Sequence, residues 1–343
     1  MISIEPQQQL EFLSNIQRLL GEGQFTATYK YALLLALADI CVEDGEDSAA
    51  PFEIGTRKIA EKFISYYWPQ VRPYAGKVLR QNTGNMPAVI SALGRIAERG
   101  IVGLNELKRD AASWTVLVRD VDRVVREMPL WKLQTVGGIP LEFLYENRGQ
   151  GDSIQLKPGV MFCLRRFHEL VTDLVRGAWV RYVQRFNGQV LGESSDLDQF
   201  LFGGERAPLD KYLQILREVQ EARCLYCERE VVRGLAHIDH FIPWSHYPID
   251  LGHNFVLAHA ACNESKAEHL AAPVHLQRWI ERNRTAAECL RERFDLGLIV
   301  HNAENSQSIA RWAYSQAAAA SGMAWLRHHE FQPIDESCLN VFV

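Results

Sequence analysis

The sequence predicts a mainly α-helical protein that contains one small α+β module. Apolar residues recur at helical spacing in four segments, two near each end of the chain: 7–20, 25–42, 273–294 and 306–327. Between these helical regions, the short apolar run 238–244, which includes Pro243, predicts a strand that leads into a turn. A chain of 343 residues can bury a sizeable core and form two or three domains.

Further elements are predicted before that strand. Helical patterns cover 54–68, 86–99 and a long stretch, 160–186. Residues 141–145 and 154–156 are expected to form two strands joined by a turn.

The stretch 188–208, rich in Gly, Ser and Asp, is the predicted domain boundary. We therefore expect a mostly helical N-terminal domain over 1–200, which is a candidate for binding DNA or a partner. A module over 205–270 begins with a helix, and a helical C-terminal region over 271–343 is expected to pack on the rest.

Two short-spaced pairs of ligands predict a structural zinc site. Cys224 and Cys227 are separated by two residues, and so are His259 and Cys262. Zinc prefers four thiolate or imidazole ligands in a tetrahedron, often delivered as two such pairs. A single C-x2-C pair could instead be two buried small residues or a redox dithiol, but neither needs the second pair. Four protein ligands leave no open position, so this ion is expected to stabilise the fold.

A second set of polar residues, rich in oxygen and imidazole, is interleaved with the zinc pairs. Asp239 and His240 are adjacent in the predicted strand, and Asn263 directly follows the zinc ligand Cys262. Carboxylate and amide oxygens suit a hard ion such as Mg²⁺. A neutral imidazole beside that ion is suited to accept a proton at neutral pH. These residues predict a catalytic divalent-metal site.

The order and spacing of both sets resemble the HNH endonucleases, a family built on the ββα-metal (His-Me) finger. The resemblance covers about 223–270 and lies in C-x2-C, D-H-x-I-P and N-x4-H-x2-C-N-x2-K. It implies a ββα-metal module with a structural zinc, in which His240 is the general base. It also implies that Asp239 and Asn263 bind the catalytic ion, Mg²⁺ or Mn²⁺, and that a phosphodiester is hydrolysed to leave a 5′ phosphate and a 3′ hydroxyl.

Two more residues match the family pattern. Asn254 corresponds to the middle asparagine of the family's catalytic set, which braces the loop between the two strands, and Lys266 is expected to face the substrate phosphate. The preceding residue, His253, is a candidate DNA contact, although a buried histidine is the more common situation. The last zinc pair is His-x2-Cys where many members have Cys-x2-Cys, and Asn263 stands where others have His; both keep the ligand chemistry.

The leading hypothesis is therefore a metal-dependent endonuclease that acts on double-stranded DNA. The helical region before the module is similar in arrangement to HNH nucleases of bacterial anti-phage defence and restriction loci, which makes proteins of such a system candidate partners. One alternative is a non-catalytic zinc module that binds nucleic acid or protein, but it would not require Asp239, His240 and Asn263. Another is an RNase or toxin with the same site, since the site recognises a phosphodiester and not a sugar. The oligomeric state does not follow from the sequence.

Charge is unevenly distributed along the chain, whose net charge is −5. Lys and Arg outnumber acidic residues ten to five over 51–110 and five to two over 161–186, whereas acids outnumber them ten to seven over 205–270. DNA is therefore expected to be bound mainly by the N-terminal region, unless these cations belong to ordinary solvated helix faces. The neighbouring aromatic run 66–68 could stack on bases or belong to the core.

The number of cysteines and the N-terminal sequence predict the cellular compartment of the protein. Apart from the three zinc cysteines, four are scattered and indicate no disulfide framework, so a reducing cytoplasm is expected. The N-terminal residues show no signal-peptide pattern, and the apolar run 33–40 is too short to span a membrane.

Overall fold

The computed structural model describes residues 4–342 apart from 24, 26, 75, 83, 85, 102, 148–150, 192–195, 204–208 and 233. The chain divides into two compact units, Met1–Gly204 and Glu205–Val343. The division lies within the stretch 188–208 expected to separate domains. The second unit includes the segment 271–343 that we expected as a separate C-terminal region.

The first unit is a helical domain with two very small sheets among its described residues. Its helices are α1 Pro6–Glu22, α2 Tyr29–Asp44, α3 Thr56–Tyr67, α4 Ala88–Ala97, α5 Leu104–Arg109, α6 Ala111–Glu127, α7 Pro129–Lys132, α8 Val160–Arg166, α9 His168–Leu191 and α10 Leu197–Phe202. Its strands are β1 Phe52–Gly55, β2 Thr135–Val136, β3 Ile139–Pro140 and β4 Ser153–Leu156.

Helix α2 forms the centre of this unit because its residues 31–38 present apolar side chains on all sides. Residues Leu33 to Ala38 are all buried. A helix without a polar face must be surrounded by other elements, and α2 packs against α3, α8 and α9. The ring of Tyr31 on α2 lies 6.3 Å from that of the fully buried Trp179 on α9.

Two local predictions for this unit are wrong. Strand β4 pairs antiparallel with β1, from Phe52 opposite Leu156 to Gly55 opposite Ser153, whereas 141–145 contributes only a bridge from Tyr145 to Leu156. The true partner lies about a hundred residues earlier in the chain, so the local turn signal pointed to the wrong neighbour. The long helix predicted over 160–186 is interrupted at Phe167, where φ is −112° and ψ is 24°.

The second unit contains the α+β module within a helical framework. Its elements are α11 Asp210–Val219, β5 Ala236–His240, β6 Phe255–His259, α12 Ala260–Lys266, α13 Pro273–Thr285, α14 Ala287–Leu296, α15 Ala303–Ala319, β7 Met323–Arg327, β8 Glu330–Pro333 and a 3₁₀ helix, Glu336–Phe342. Strands β5 and β6 pair antiparallel, from Ala236 opposite His259 to His240 opposite Phe255. Helix α12 follows β6 without a loop, so this segment has ββα order, and the mainly α fold with one small α+β module is confirmed.

The C-terminal part differs from the two long helices that we expected. The first is divided at Ala286 into α13 and α14. The second ends at Ala319, and the remaining residues form the hairpin β7–β8. Ser321 has a positive φ of 54° and is followed by Gly322. The Ser-Gly dipeptide is a turn signal that could have been recognised in the sequence.

Candidate metal centre and active site

The four predicted zinc ligands converge on one point. The donor atoms of Cys224, Cys227, His259 and Cys262 all lie within 4.8 Å of one another, and Cys227 Sγ is 3.3 Å from His259 Nδ1. Tetrahedral zinc with bonds of about 2.0–2.3 Å places its donors about 3.3–3.8 Å apart. Three thiols and one imidazole at these separations fit a zinc ion.

Local backbone structure aims these ligands at the ion. A tight turn connects the first pair: the amide of Cys224 donates to the carbonyl of Arg229, and Glu228, with a φ of 59°, donates to the carbonyl of Cys224. His259 Nε2 bonds to the carbonyl of Glu230 at 3.0 Å, which leaves Nδ1 for the metal. Burial raises the pKa of the Cys227 thiol, but hydrogen bonds with Arg229, Cys224 and His259 together lower it to about 7.

His240 lies at the end of β5 and is oriented by a carboxylate that the sequence reasoning missed. His240 Nε2 lies 2.7 Å from Oδ1 of Asp250. A carboxylate can only accept, so in the neutral ring Nε2 carries the proton and Nδ1 has the lone pair. The ring is also packed at 4.5 Å from Phe255 and 5.7 Å from Trp244, measured between centroids. Asp250 belongs to none of the sequence motifs described above, so only the fold shows that it contacts His240.

Asp239 is buried, and one of its two carboxylate oxygens is bonded within the protein. Oδ2 accepts from the Tyr226 hydroxyl at 2.5 Å and lies 3.1 Å from Lys266 Nζ. Both contacts are made to Oδ2, so Oδ1 is the oxygen that remains for an ion. An anionic oxygen of this kind suits a hard divalent cation.

Asn263 lies on α12, and its spacing from Lys266 predicts that it faces β5. It lies three residues before Lys266, and residues three apart share a helix face. Lys266 defines that face, because its ammonium donates to the carbonyl of His240 at 3.0 Å and contacts Asp239. The side chain of Asn263 is half buried, and its role as an ion ligand stays a prediction.

Comparison with known proteins agrees with this geometry. Residues 224–268 match the family model HNH endonuclease. This segment fits a zinc HNH module. Residues 8–131 match a second family model, Domain of unknown function (DUF8808). No curated protein and no solved structure was found to match the chain. The HNH match implies a metal-dependent function of the nuclease type, with nucleic acid as the class of substrate.

Within the HNH module, Asn254 is a structural brace. Its side-chain oxygen accepts from the amide of Ile242 at 2.8 Å, and its amide group donates to the carbonyl of the same residue at 2.9 Å. Both bonds are buried, so Asn254 shapes the loop after β5 and does not face a substrate. His253 is 3 % exposed and packs against Phe294, so it is a core residue and not a DNA contact.

Lys266 also differs from the expectation that it faces phosphate. Its side chain is fully buried, and its ammonium is bonded to Asp239 and to the carbonyl of His240. Burial lowers the pKa of Lys266, and the attraction of Asp239 opposes that shift. Lys266 is therefore an internal cation that fixes β5 against α12.

Several cations and aromatic residues expected to bind nucleic acid lie inside the first unit. Arg165 is 2 % exposed, and its guanidinium donates to Asp47 and to three carbonyls of the segment 41–45. Lys62 pairs with the buried Glu43 at 2.6 Å. In the aromatic run 66–68, Tyr67 and Trp68 are buried. These groups stabilise the core, so any nucleic-acid surface on this unit must use other residues.

One negative finding concerns membranes. Among the described residues, no helix has both the length and the apolar character needed to cross a membrane.

Proposed function

We propose that this protein is a Mg²⁺- or Mn²⁺-dependent endonuclease that hydrolyses phosphodiester bonds in double-stranded DNA. The observation that carries the proposal is the contact of His240 with Asp250, 2.7 Å between Nε2 and Oδ1. His240 lies on β5 beside Asp239, and Asp250 lies in the loop that follows this strand. An imidazole held in one tautomer by a carboxylate is suited to accept a proton from water. A zinc module that only binds nucleic acid would have no use for it.

In the proposed reaction His240 accepts the proton and Asp250 orients the imidazole ring. Nδ1 of His240 accepts a proton from the water that attacks phosphorus. The bond from phosphorus to the 3′ oxygen breaks, and the leaving 3′ oxygen takes up a proton from solvent. The resulting imidazolium is stabilised by the carboxylate of Asp250, which keeps the ring in place throughout. The contacts with Phe255 and Trp244 limit rotation of the ring, so Nδ1 keeps one direction.

The second metal site fits a hard ion by the chemistry of its donors. Asp239 Oδ1 and the amide oxygen of Asn263 are oxygen ligands, too few to displace most waters, as Mg²⁺ prefers. A divalent ion bound there would stabilise the negative charge that develops on the phosphodiester oxygens. Tyr226 and Lys266 keep the other oxygen of Asp239 occupied, which fixes the direction of Oδ1.

The biological setting is also a proposal. The HNH segment has more acidic than basic residues, so DNA must be attracted by cations elsewhere in the chain or by a partner protein. We assign that task to the first unit. The arrangement of a helical region before an HNH module supports a role in prokaryotic anti-phage defence or restriction.

A cleavage assay tests the proposed function. Wild type, His240→Ala and a control variant, His269→Ala, would be incubated with plasmid DNA or RNA and Mg²⁺ after their zinc content is shown to be equal. His269 is an exposed histidine of the same unit that contacts Phe331. Loss of a general base should reduce the rate of DNA cleavage by about 10²–10⁴-fold, while the control should cleave like wild type.

Each other outcome counts against the proposal. Equal cleavage by wild type and His240→Ala would remove His240 from its role. Cleavage of RNA but not of DNA would contradict the proposed substrate. Absence of any cleavage by the wild type would favour a binding module.

A further inference from the structure

Tyr226 connects the two metal sites. It lies in the sequence between Leu225 and the zinc ligand Cys227, inside the turn that carries the first zinc pair. Its hydroxyl donates to Asp239 Oδ2 at 2.5 Å. One residue therefore belongs by its backbone to the zinc site and by its side chain to the catalytic strand.

The ring of Tyr226 is fixed by the C-terminal part of the second unit. It packs edge-on against His275 on α13 and against Trp325 on β7, with centroid distances of 5.4 Å and 5.3 Å. The guanidinium of Arg278 donates to the Tyr226 carbonyl at 2.6 Å. The side chain is only 3 % exposed. With so little freedom, the hydroxyl can contact Asp239 only while the zinc turn keeps its shape.

The contact also determines which oxygen of Asp239 can bind an ion. The Tyr226 hydroxyl and the Lys266 ammonium both approach Oδ2, from the zinc turn and from α12 respectively. A carboxylate fixed at one oxygen by two donors presents the other in one direction. Partners that orient a metal-binding carboxylate usually change ion affinity by about 10–100-fold when they are removed.

We propose that Tyr226 is a positioning residue that couples the zinc site to divalent-ion binding at Asp239. This inference rests on the proposed function, because it requires Asp239 to bind the catalytic ion. Zinc orders the turn, the turn places the Tyr226 hydroxyl, and the hydroxyl orients the Asp239 carboxylate. The zinc site thereby sets the affinity of the second site as well as the stability of the fold.

The variant Tyr226→Phe tests this coupling because it removes only the hydroxyl. The matched control is Tyr314→Phe, since Tyr314 is also buried and donates its hydroxyl to a backbone carbonyl, that of Ala271. Zinc content would be measured for the full-length wild type and both variants. Mn²⁺ binding would be followed by the decrease in the electron paramagnetic resonance signal of free Mn²⁺. The rate of DNA cleavage would be measured as a function of Mg²⁺ concentration.

We expect Tyr226→Phe to keep its zinc and to bind Mn²⁺ about ten-fold more weakly. It should need correspondingly more Mg²⁺ for half-maximal cleavage and recover most of its rate at saturating Mg²⁺. Tyr314→Phe should match wild type in all three measurements. A general loss of structure would not be reversed by extra Mg²⁺.

Other outcomes overturn the inference in distinguishable ways. If wild type binds Mn²⁺ and cleaves DNA but Tyr226→Phe behaves identically, the coupling is wrong and the proposed function stands. If Tyr226→Phe loses its zinc, the hydroxyl serves the zinc site and not Asp239. If wild type binds no Mn²⁺ and cleaves nothing, the proposed function fails and the inference fails with it.

Discussion

Replacing Asp250 by Asn tests how the proposed general base is activated. The amide oxygen can still accept the hydrogen bond from His240 Nε2, so the geometry is kept while the negative charge is lost. Hydrogen bonds to charged groups contribute about 1.5–3 kcal/mol, against about 0.5–1.5 kcal/mol for neutral ones. The two side chains are only 19 % and 11 % exposed, so solvent screens this charge incompletely. The midpoints of these ranges differ by about 1.25 kcal/mol, which corresponds to a rate reduced about eight-fold.

The assay is single-turnover cleavage at saturating Mg²⁺, so that chemistry and not ion binding is measured. Asp295→Asn is the matched control, because Asp295 contacts His301 in the same way, at 3.0 Å, but is 69 % exposed and belongs to no metal site. We expect Asp250→Asn to be slower by about eight-fold and Asp295→Asn to equal wild type. A normal rate for Asp250→Asn, or a defect that extra Mg²⁺ removes, would refute the role given to this carboxylate.

Three further predictions concern stability. Cys262→Ala should lose zinc and unfold the second unit, as seen by metal analysis and circular dichroism; a folded, zinc-free variant with full activity would contradict the structural role. Lys266→Met should lower the free energy of unfolding in urea by about 3 kcal/mol, because it leaves Asp239 charged and deprived of its cation; a loss below about 1 kcal/mol would mean that the pair contributes little. Burial first, with help from Arg282 and His301, lowers the pKa of His253 from 6.5 to about 4. The unfolded chain therefore binds a proton at His253 more readily than the folded chain does. The free energy of unfolding is highest above about pH 6.5 and decreases as the pH falls towards 4. His253→Phe should unfold with a weaker dependence on pH over that range.

Local sequence was sufficient for the elements whose signals are short in range. The fold class follows from apolar spacing, whereas the ββα segment was implied by the resemblance of the motif residues to HNH endonucleases. The HNH model match covers the same residues. The zinc ligands are recognisable for a related reason. Each pair lies within one turn or at the start of one helix. A spacing of two residues is therefore enough to direct both side chains to the same ion.

Long-range pairing could not be predicted in the same way. Strand β4 pairs with β1 and not with the nearby segment 141–145, because pairing depends on which segment packs beside β4 in the folded unit. Whether a charged side chain is exposed or buried could not be predicted from the sequence for the same reason. Arg165 looked like a surface cation, but only the fold shows that four acceptors surround it in the core.

The sequence by itself determined which chemistry is present: a zinc-binding set, and an aspartate, a histidine and an asparagine suited to divalent-ion hydrolysis. Only the tertiary structure decided how those groups are oriented. It brought Asp250 to His240, turned Lys266 inward to Asp239 and linked the zinc turn to the same carboxylate through Tyr226. The reason is physical: ligand identity is a property of residue type, whereas a hydrogen bond between residues distant in sequence exists only once packing has fixed both partners.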